Sequence, residues 1–319
     1  MPTNSWETFY ARTLSHLSTK SNPPENSDNN KDTNDDNNSG NDTDDGEDDD
    51  SDPGTSWFTE HNAPQKVLDY LTSDDFPLSP QNTLSPEHNA NGEGAGKGKA
   101  VLPDQPKILD LGTGNGSMLA LLRTRGGFRG EMVGVDYSRG SVELARELQR
   151  GRGHSAYLPE DDDEDGDQGE EGNDEGPDGG VGGGDDDDEG TQIRFEEWDI
   201  LNASGNGSDW FPRAQGGFDI VLDKGTFDAV SLSEDVDVDA GADQRVCVRY
   251  PVIARGLVRK GGYLVVTSCN WTEEELVRWF TSGTGEDRLV VWGRVEYPVF
   301  RFGGKEGQGV CTVCFQRTG

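Results

Sequence analysis

The sequence predicts an α/β fold: a seven-stranded, mostly parallel sheet with helices on both faces and a C-terminal antiparallel hairpin. Three observations predict it. From Lys107 onwards, short apolar runs alternate with amphipathic stretches of helical period, and such alternation builds a parallel sheet covered by helices. The first apolar run ends in a glycine loop, Asp110-Leu111-Gly112-Thr113-Gly114-Asn115-Gly116, the kind of loop that turns a strand into a helix. The last two strand-like runs have no helix between them, so they pair antiparallel.

The elements follow in order. Residues 5–17 and 64–71 read as helices ahead of the first strand, 107–111. A helix at 117–125, a strand at 131–136 and a helix at 140–150 come next. A third strand is expected at 193–200 and a fourth at 218–223, with the helix between them reduced because 201–216 is short and contains glycines. Residues 244–259 are long enough for a helix, which Pro251 should kink or break. A fifth strand, 263–268, follows the Gly261-Gly262 turn, and Thr272 with Glu275 marks a capping box for a helix at 272–281. Residues 289–297 and 310–316 are the last strands, joined by a glycine-rich turn at 303–309.

Composition sets the domain organisation. The chain has 319 residues and a net charge of -34, with only 30% hydrophobic residues. The charge is concentrated. Residues 25–52 hold 13 acids and one lysine, and residues 159–190 hold 17 acids and no base. Without those two stretches about -5 remains, the charge of an ordinary domain. Three segments are too polar to offset the entropy of ordering their backbone. The expected organisation is an N-terminal helix at 1–19, an acidic disordered insertion at 20–51, and one domain at 52–319 interrupted by disordered insertions at 79–104 and 159–191.

Several classes are excluded. No apolar run reaches the ~18–20 residues of a membrane-spanning helix, and no basic segment followed by an apolar stretch opens the chain, so no secretory signal is expected. Four cysteines are too few for a disulfide framework, which points to a reducing compartment. The acidic balance argues against direct nucleic-acid binding. Cys311 and Cys314 have C-x-x-C spacing but no accompanying ligand cluster, so no metal is expected.

The chemistry gathers at the carboxyl ends of the strands, where open parallel sheets bind ligands. Gly112, Gly114 and Gly116, at every second position after Asp110, let the backbone pass close to a ligand. A dinucleotide-binding loop would instead follow G-x-G-x-x-G, which this spacing does not match. Asp136 closes the second strand 20 residues beyond Gly116, where a carboxylate accepts ribose hydroxyls or else caps its own loop. Asp199, beside Ile200, suits an adenine amino group with an apolar cover, or a plain surface acid. Trp198 reads as core. Asp223, Lys224 and Thr226 end the fourth strand; Asp223 is either a helix cap or a group at the reaction edge. Asn270 and Trp271 end the fifth, as pocket or turn residues.

These stretches resemble the class I S-adenosylmethionine methyltransferases, whose sheet is Rossmann-like. The closer resemblance is to the protein-lysine methyltransferases acting on translation elongation factor 1-alpha. It rests on Ser5-Trp6-Glu7-Thr8-Phe9-Tyr10, on residues 52–58, on Ile108 to Gly116, and on Val135-Asp136-Tyr137-Ser138. The most selective stretches are Asp223-Lys224-Gly225-Thr226-Phe227-Asp228-Ala229 and Ser268-Cys269-Asn270-Trp271-Thr272. The resemblance implies S-adenosyl-L-methionine as cofactor, held by Trp57, Asp110, Gly112, Gly114, Gly116, Asp136, Tyr137, Asp199 and Ile200. It implies Asp223 and Asn270 as catalytic residues, with Asp223 orienting a substrate ammonium, and Lys224, Thr226 and Trp271 against the substrate. A monomer acting in the cytoplasm, with the nucleus as a second compartment, is expected. The competing readings are a methyltransferase for another protein or a small molecule, and a non-catalytic cofactor-binding scaffold.

Overall fold

The computed structural model describes residues 3–21, 58, 61–84, 105–158, 192–201, 207–236, 245–302 and 305–319. Most of the three expected insertions lie outside these residues, but 79–84 do not. Ser79 begins a short helix there, α3 (Pro80–Thr83), with the Leu84 N–H bonded to the Pro80 carbonyl.

Five parallel strands make most of the sheet: β1 (Ile108–Leu111), β2 (Met132–Asp136), β3 (Arg194–Glu197), β4 (Phe218–Lys224) and β5 (Val258–Ser268). Two antiparallel strands complete it, β6 (Leu289–Val295) and β9 (Cys311–Arg317), in the order β3-β2-β1-β4-β5-β9-β6. β1 and β2 are buried along their whole length, as expected of strands covered on both faces. The order reverses between β1 and β4. Their carboxyl ends therefore open a crevice, the place where such sheets take ligands. Leu111 pairs with both Val135 and Asp223, which brings the ends of β1, β2 and β4 level.

One face of the sheet carries α1 (Thr3–Ser21), α2 (Ala63–Thr72), α4 (Ser117–Thr124) and α5 (Arg139–Gly151). Their Tyr10, Leu71, Leu119 and Leu144 bury against Ile108, Ile220 and Val265. The other face carries α6 (Thr226–Leu232), α7 (Tyr250–Leu257) and α8 (Glu273–Thr281), whose Phe227, Tyr250 and Phe280 meet Leu109, Val221 and Phe315. α5 is a clear amphipath: Val142, Ala145 and Leu148 are buried, and Ser138 caps it by accepting from the Ser141 N–H. The capping box of α8 forms as read from sequence, with Thr272 and Glu275 each bonding the other's backbone N–H. An N-cap of this kind contributes about 1 kcal/mol.

Four details differ from the sequence reading. Pro251 lies in the first turn of α7, where its missing N–H costs nothing, so it starts the helix instead of kinking it. β5 begins at Val258 and runs through the glycine pair with a register shift against β4. The third strand covers only Arg194–Glu197. The turn expected at 303–309 belongs to a two-stranded ribbon, β7 (Val299–Phe302) and β8 (Lys305–Gln308), which stands between β6 and β9. Among the described residues, the connection before β4 includes a 3-10 turn, Arg213–Gln215, and no α-helix. Cys311 and Cys314 fall in the cores on opposite faces of the sheet.

Candidate functional site

The site is built on the β1–α4 loop. All three glycines have left-handed φ: 61° at Gly112, 57° at Gly114 and 76° at Gly116. Their surroundings separate their roles. A Cβ on Gly112 would lie 2.2 Å from Thr226 Oγ1, and one on Gly116 would lie 2.5 Å from the Tyr157 hydroxyl and 2.6 Å from Phe195. These two glycines are packing positions. At Gly114 the nearest atom would be the Tyr10 hydroxyl at 3.6 Å, so this glycine leaves room over the loop.

Asp136 anchors that loop. Its Oδ2 accepts from the Gly114 N–H at 3.1 Å and its Oδ1 from the Ser138 N–H at 2.9 Å. Each carboxylate oxygen has a second lone pair, which suits it to accept ribose hydroxyls. Burial raises its pKa, opposed by the hydrogen bonds from Ser138, Ser141 and Gly114. The Ser141 hydroxyl donates to the Gly114 carbonyl at 2.8 Å. The Tyr137 ring hangs beside this group. Burial pushes its phenol up to about 12, helped by the negative charges of Asp136, Glu7 and Asp199. The Tyr137 hydroxyl is buried and has no hydrogen-bond partner among the described residues.

α1 closes this side. Gly140, in the first turn of α5, has Tyr10 Cβ 3.0 Å and Glu7 Oε2 3.4 Å from where its own Cβ would stand. Glu7 and Tyr10 are the functional candidates missed as individuals by the sequence reading. Their signal was present only as a motif about a hundred residues before the glycine loop. Asp199 lies past the end of β3, half-buried, and accepts from the Leu201 N–H at 2.8 Å. Ile200 is buried in the core beneath it, and Trp198 is core as expected, edge-on to Trp210 at 5.4 Å. Trp57 lies outside the described residues; its neighbour Phe58 has Lys224 Nζ 5.8 Å from its ring centroid.

Together these residues fit S-adenosyl-L-methionine. The glycine loop leaves room at Gly114, Asp136 has acceptor capacity to spare, and Tyr137 carries an unsatisfied hydroxyl. Three carboxylates, Glu7, Asp136 and Asp199, bear on that hydroxyl together, and their field favours the positive charge of a sulfonium and an amino group.

Asp110 and Asp223 are buried, and each is hydrogen-bonded within the fold. Asp110 is 2% exposed and accepts from Thr113 Oγ1 at 2.9 Å. Burial raises it to about 6 against the pull of Lys224; it holds the loop from beneath. Asp223 is 1% exposed. Its Oδ1 accepts from the N–H groups of Thr226 (2.9 Å) and Phe227 (3.1 Å), and its Oδ2 from the Tyr250 hydroxyl (2.7 Å). These bonds make the carboxylate the cap of α6 and tie it to Tyr250 of α7. Thr226 is also turned inward: its hydroxyl donates to the Leu111 carbonyl at 2.6 Å and so ties α6 to the glycine loop.

The fifth-strand edge is organised by a residue with no assigned role in the sequence reading. Asp228, fully buried, accepts from Ser268 Oγ at 2.5 Å and from the Cys269 N–H at 2.8 Å. Ser268 Oγ in turn accepts from the N–H groups of Asn270 (3.2 Å) and Trp271 (3.1 Å). The Trp271 ring stacks on Phe227 at 5.9 Å and its Nε1 donates to Ser231 Oγ at 3.2 Å. The two most selective motifs are thus one physical unit. It holds Asn270 exposed and Trp271 half-exposed at the carboxyl edge.

The chain is similar to known methyltransferases. Residues 103–157 match a methyltransferase-domain family. The chain is 30% identical over 272 residues to the protein-lysine N-methyltransferase EFM4 of Saccharomyces cerevisiae, covering 83% of each chain. It is 31% identical over 215 residues to the protein-lysine N-methyltransferase efm4 of Schizosaccharomyces pombe, over 66% of this chain and 69% of that one. It is 28% identical over 219 residues to the human EEF1A lysine methyltransferase 2, over 69% of each.

Proposed function

Since the chain belongs to the class I S-adenosylmethionine-dependent protein-lysine N-methyltransferase family, we propose that it methylates a lysine of translation elongation factor 1-alpha. The substrate is proposed from the names of its relatives, the human and zebrafish EEF1A lysine methyltransferases. The observation that carries the site is Asp136, joined to Gly114 at the crevice between β1 and β4.

The cofactor supplies a methyl group already made electrophilic by the attached sulfonium. The chain's own residues bind, orient and desolvate. In this reading Asp136 accepts from the ribose hydroxyls, Asp199 accepts from the adenine amino group, and Glu7 and Tyr10 cover the cleft. Asn270 and Trp271 would line the approach of the acceptor lysine to the bound cofactor, and the chain's contribution would be mainly proximity and alignment. A free lysine, with pKa ~10.4, is protonated at neutral pH, and deprotonating it costs about 4 kcal/mol. Partial desolvation lowers that cost, and the nearby positive charge of Lys224 disfavours a second cation. No side chain is required as a formal base. A cytoplasmic site of action accords with this substrate.

Incubating the purified chain with methyl-labelled cofactor and whole-cell extract tests the reading. A labelled band at elongation factor 1-alpha is expected. Label confined to other proteins would replace the substrate, and label in small molecules alone would remove protein methylation.

A further inference from the structure

Beyond the acceptor edge, α6 and α7 carry apolar side chains that nothing in the described fold covers. Seven large apolar side chains are exposed among the described residues. Four of them, Leu232 (65%), Val236 (53%), Val248 (38%) and Val252 (59%), belong to one short stretch. Its described parts, 231–236 and 245–252, are joined by hydrogen bonds. Val236 bridges Arg245, and the Val246 N–H donates to the Asp235 carbonyl at 3.1 Å. The Arg245 guanidinium donates to the carbonyls of Ser231 and Ser233. The Val252 N–H donates to the Arg249 carbonyl at 3.1 Å, which carries the turn into α7. Such a grouping of apolar side chains on a soluble surface marks a place where another protein sits.

Two observations decide the occupant. The first is continuity. Leu232 follows Ser231, whose hydroxyl accepts from Trp271 Nε1 at 3.2 Å, so the apolar shoulder starts one residue from the acceptor edge. The second is charge. Glu234 is exposed between Leu232 and Val236, and Glu274 is exposed in the first turn of α8 just past Trp271, whereas the exposed Arg245 spends its guanidinium on the carbonyls of Ser231 and Ser233. A partner that buries this shoulder must bring apolar side chains to its centre and basic ones to its rim. A second copy related by a two-fold axis would set Glu234 and Glu274 against the same acids, so it is a poor fit. We propose that the shoulder formed by Leu232, Val236, Val248 and Val252 docks the folded protein substrate, through a basic-rimmed apolar surface next to the lysine to be methylated. The proposal rests on the lysine-methyltransferase reading and deepens it: the enzyme selects a folded surface as well as a lysine.

The test is steady-state methylation of purified elongation factor 1-alpha, varied at saturating cofactor, by the full-length chain and by the double variant Leu232→Ser/Val252→Ser. Both positions are exposed, so the variant should melt with the parent. Removing uniform binding raises KM and leaves kcat alone. The expected result is a KM raised about tenfold or more, the scale of a centrally placed apolar contact, with kcat within about twofold. Cofactor affinity by titration calorimetry should not change. Leu158→Ser, exposed elsewhere, should keep the parent KM. An unchanged KM in the double variant overturns the proposal, as does an equal rise in Leu158→Ser or a fall in kcat alone. If sedimentation shows a parent dimer that the double variant loses while KM stays constant, a second copy covers the shoulder and the proposal is wrong. If the parent transfers no methyl group to the factor, the substrate reading fails, and the docking proposal falls with it.

Discussion

Asp136 and Asp223 both close strands at the same sheet edge, yet the fold uses them differently. Asp136 keeps acceptor capacity beside a glycine with room above it, so Asp136→Ala should weaken cofactor binding by about 1.5–3 kcal/mol, the range for hydrogen bonds to a charged group. Titration calorimetry on the folded variant measures this, and unchanged affinity would remove the ribose assignment. Asp223 spends both oxygens on the fold, and burial raises it to about 7. Its folded pKa therefore lies above the unfolded value near 3.9. The stability it supports is fully present below pH ~4 and is lost as pH rises through about 7, because the folded state holds the proton more tightly. Asp223→Asn, whose amide can mimic the neutral acid toward Tyr250, should flatten this part of the stability–pH profile. Chemical denaturation at a series of pH values checks it; parallel profiles would contradict the assignment. Among the glycines, Gly116→Ala should destabilise the fold, since its Cβ would strike Tyr157 and Phe195. Gly114→Ala should fold, at a left-handed cost of ~1–2 kcal/mol, and lose cofactor affinity. Equal melting temperatures for the two would count against the division of roles.

At the scale of elements, the acceptor edge is α6 clamped to the turn after β5. Phe227, Asp228 and Ser231 of α6 all bear on the Ser268–Trp271 turn, directly or through Ser268. If Asp228 acts through Trp271, substituting both should cost little more than substituting Trp271 alone, whereas independent sites would add. The readout is KM for the protein substrate in Asp228→Asn, Trp271→Ala and the double variant; additive effects would show that Asp228 is only structural. The strand–helix alternation, the glycine loop and the C-terminal pairing were legible because each is written in local pattern. The carboxylate of Asp223 was not, because Tyr250, which turns it inward, is 27 residues away and enters through tertiary packing. The β7–β8 ribbon was hidden because its second strand, Lys305–Gln308, contains no apolar residue to betray it. Glu7 and Tyr10 sit on a helix that gains its meaning only by lying across α5.

Over the whole molecule, most of the charge lies in two stretches of sequence, 25–52 and 159–190, outside the described residues. The acidic stretch at 159–190 joins the fold ahead of Arg194, at the amino end of β3, whereas the site lies at the carboxyl ends of the strands. Replacing it with a short Gly/Ser linker should leave melting temperature and methyl transfer at saturating substrate nearly unchanged, since loop closure depends only weakly on length. A large loss of either would show that the stretch packs or recruits substrate. The net charge of -34 should speed encounter with a basic substrate more than it tightens the complex. Transfer at low substrate should therefore slow as salt rises beyond ~0.15 M, where the Debye length is about 8 Å; salt-independent rates would contradict this. The central claim, that the crevice between β1 and β4 delivers a methyl group to a lysine of elongation factor 1-alpha, is met most directly by single-turnover reaction of the two purified proteins with cofactor, followed by mass spectrometric mapping of every lysine. The account predicts methylation at a defined lysine, lost or strongly slowed in Asp136→Ala at limiting cofactor. A factor left unmodified by the parent chain, or modified equally well by the variant, would contradict it.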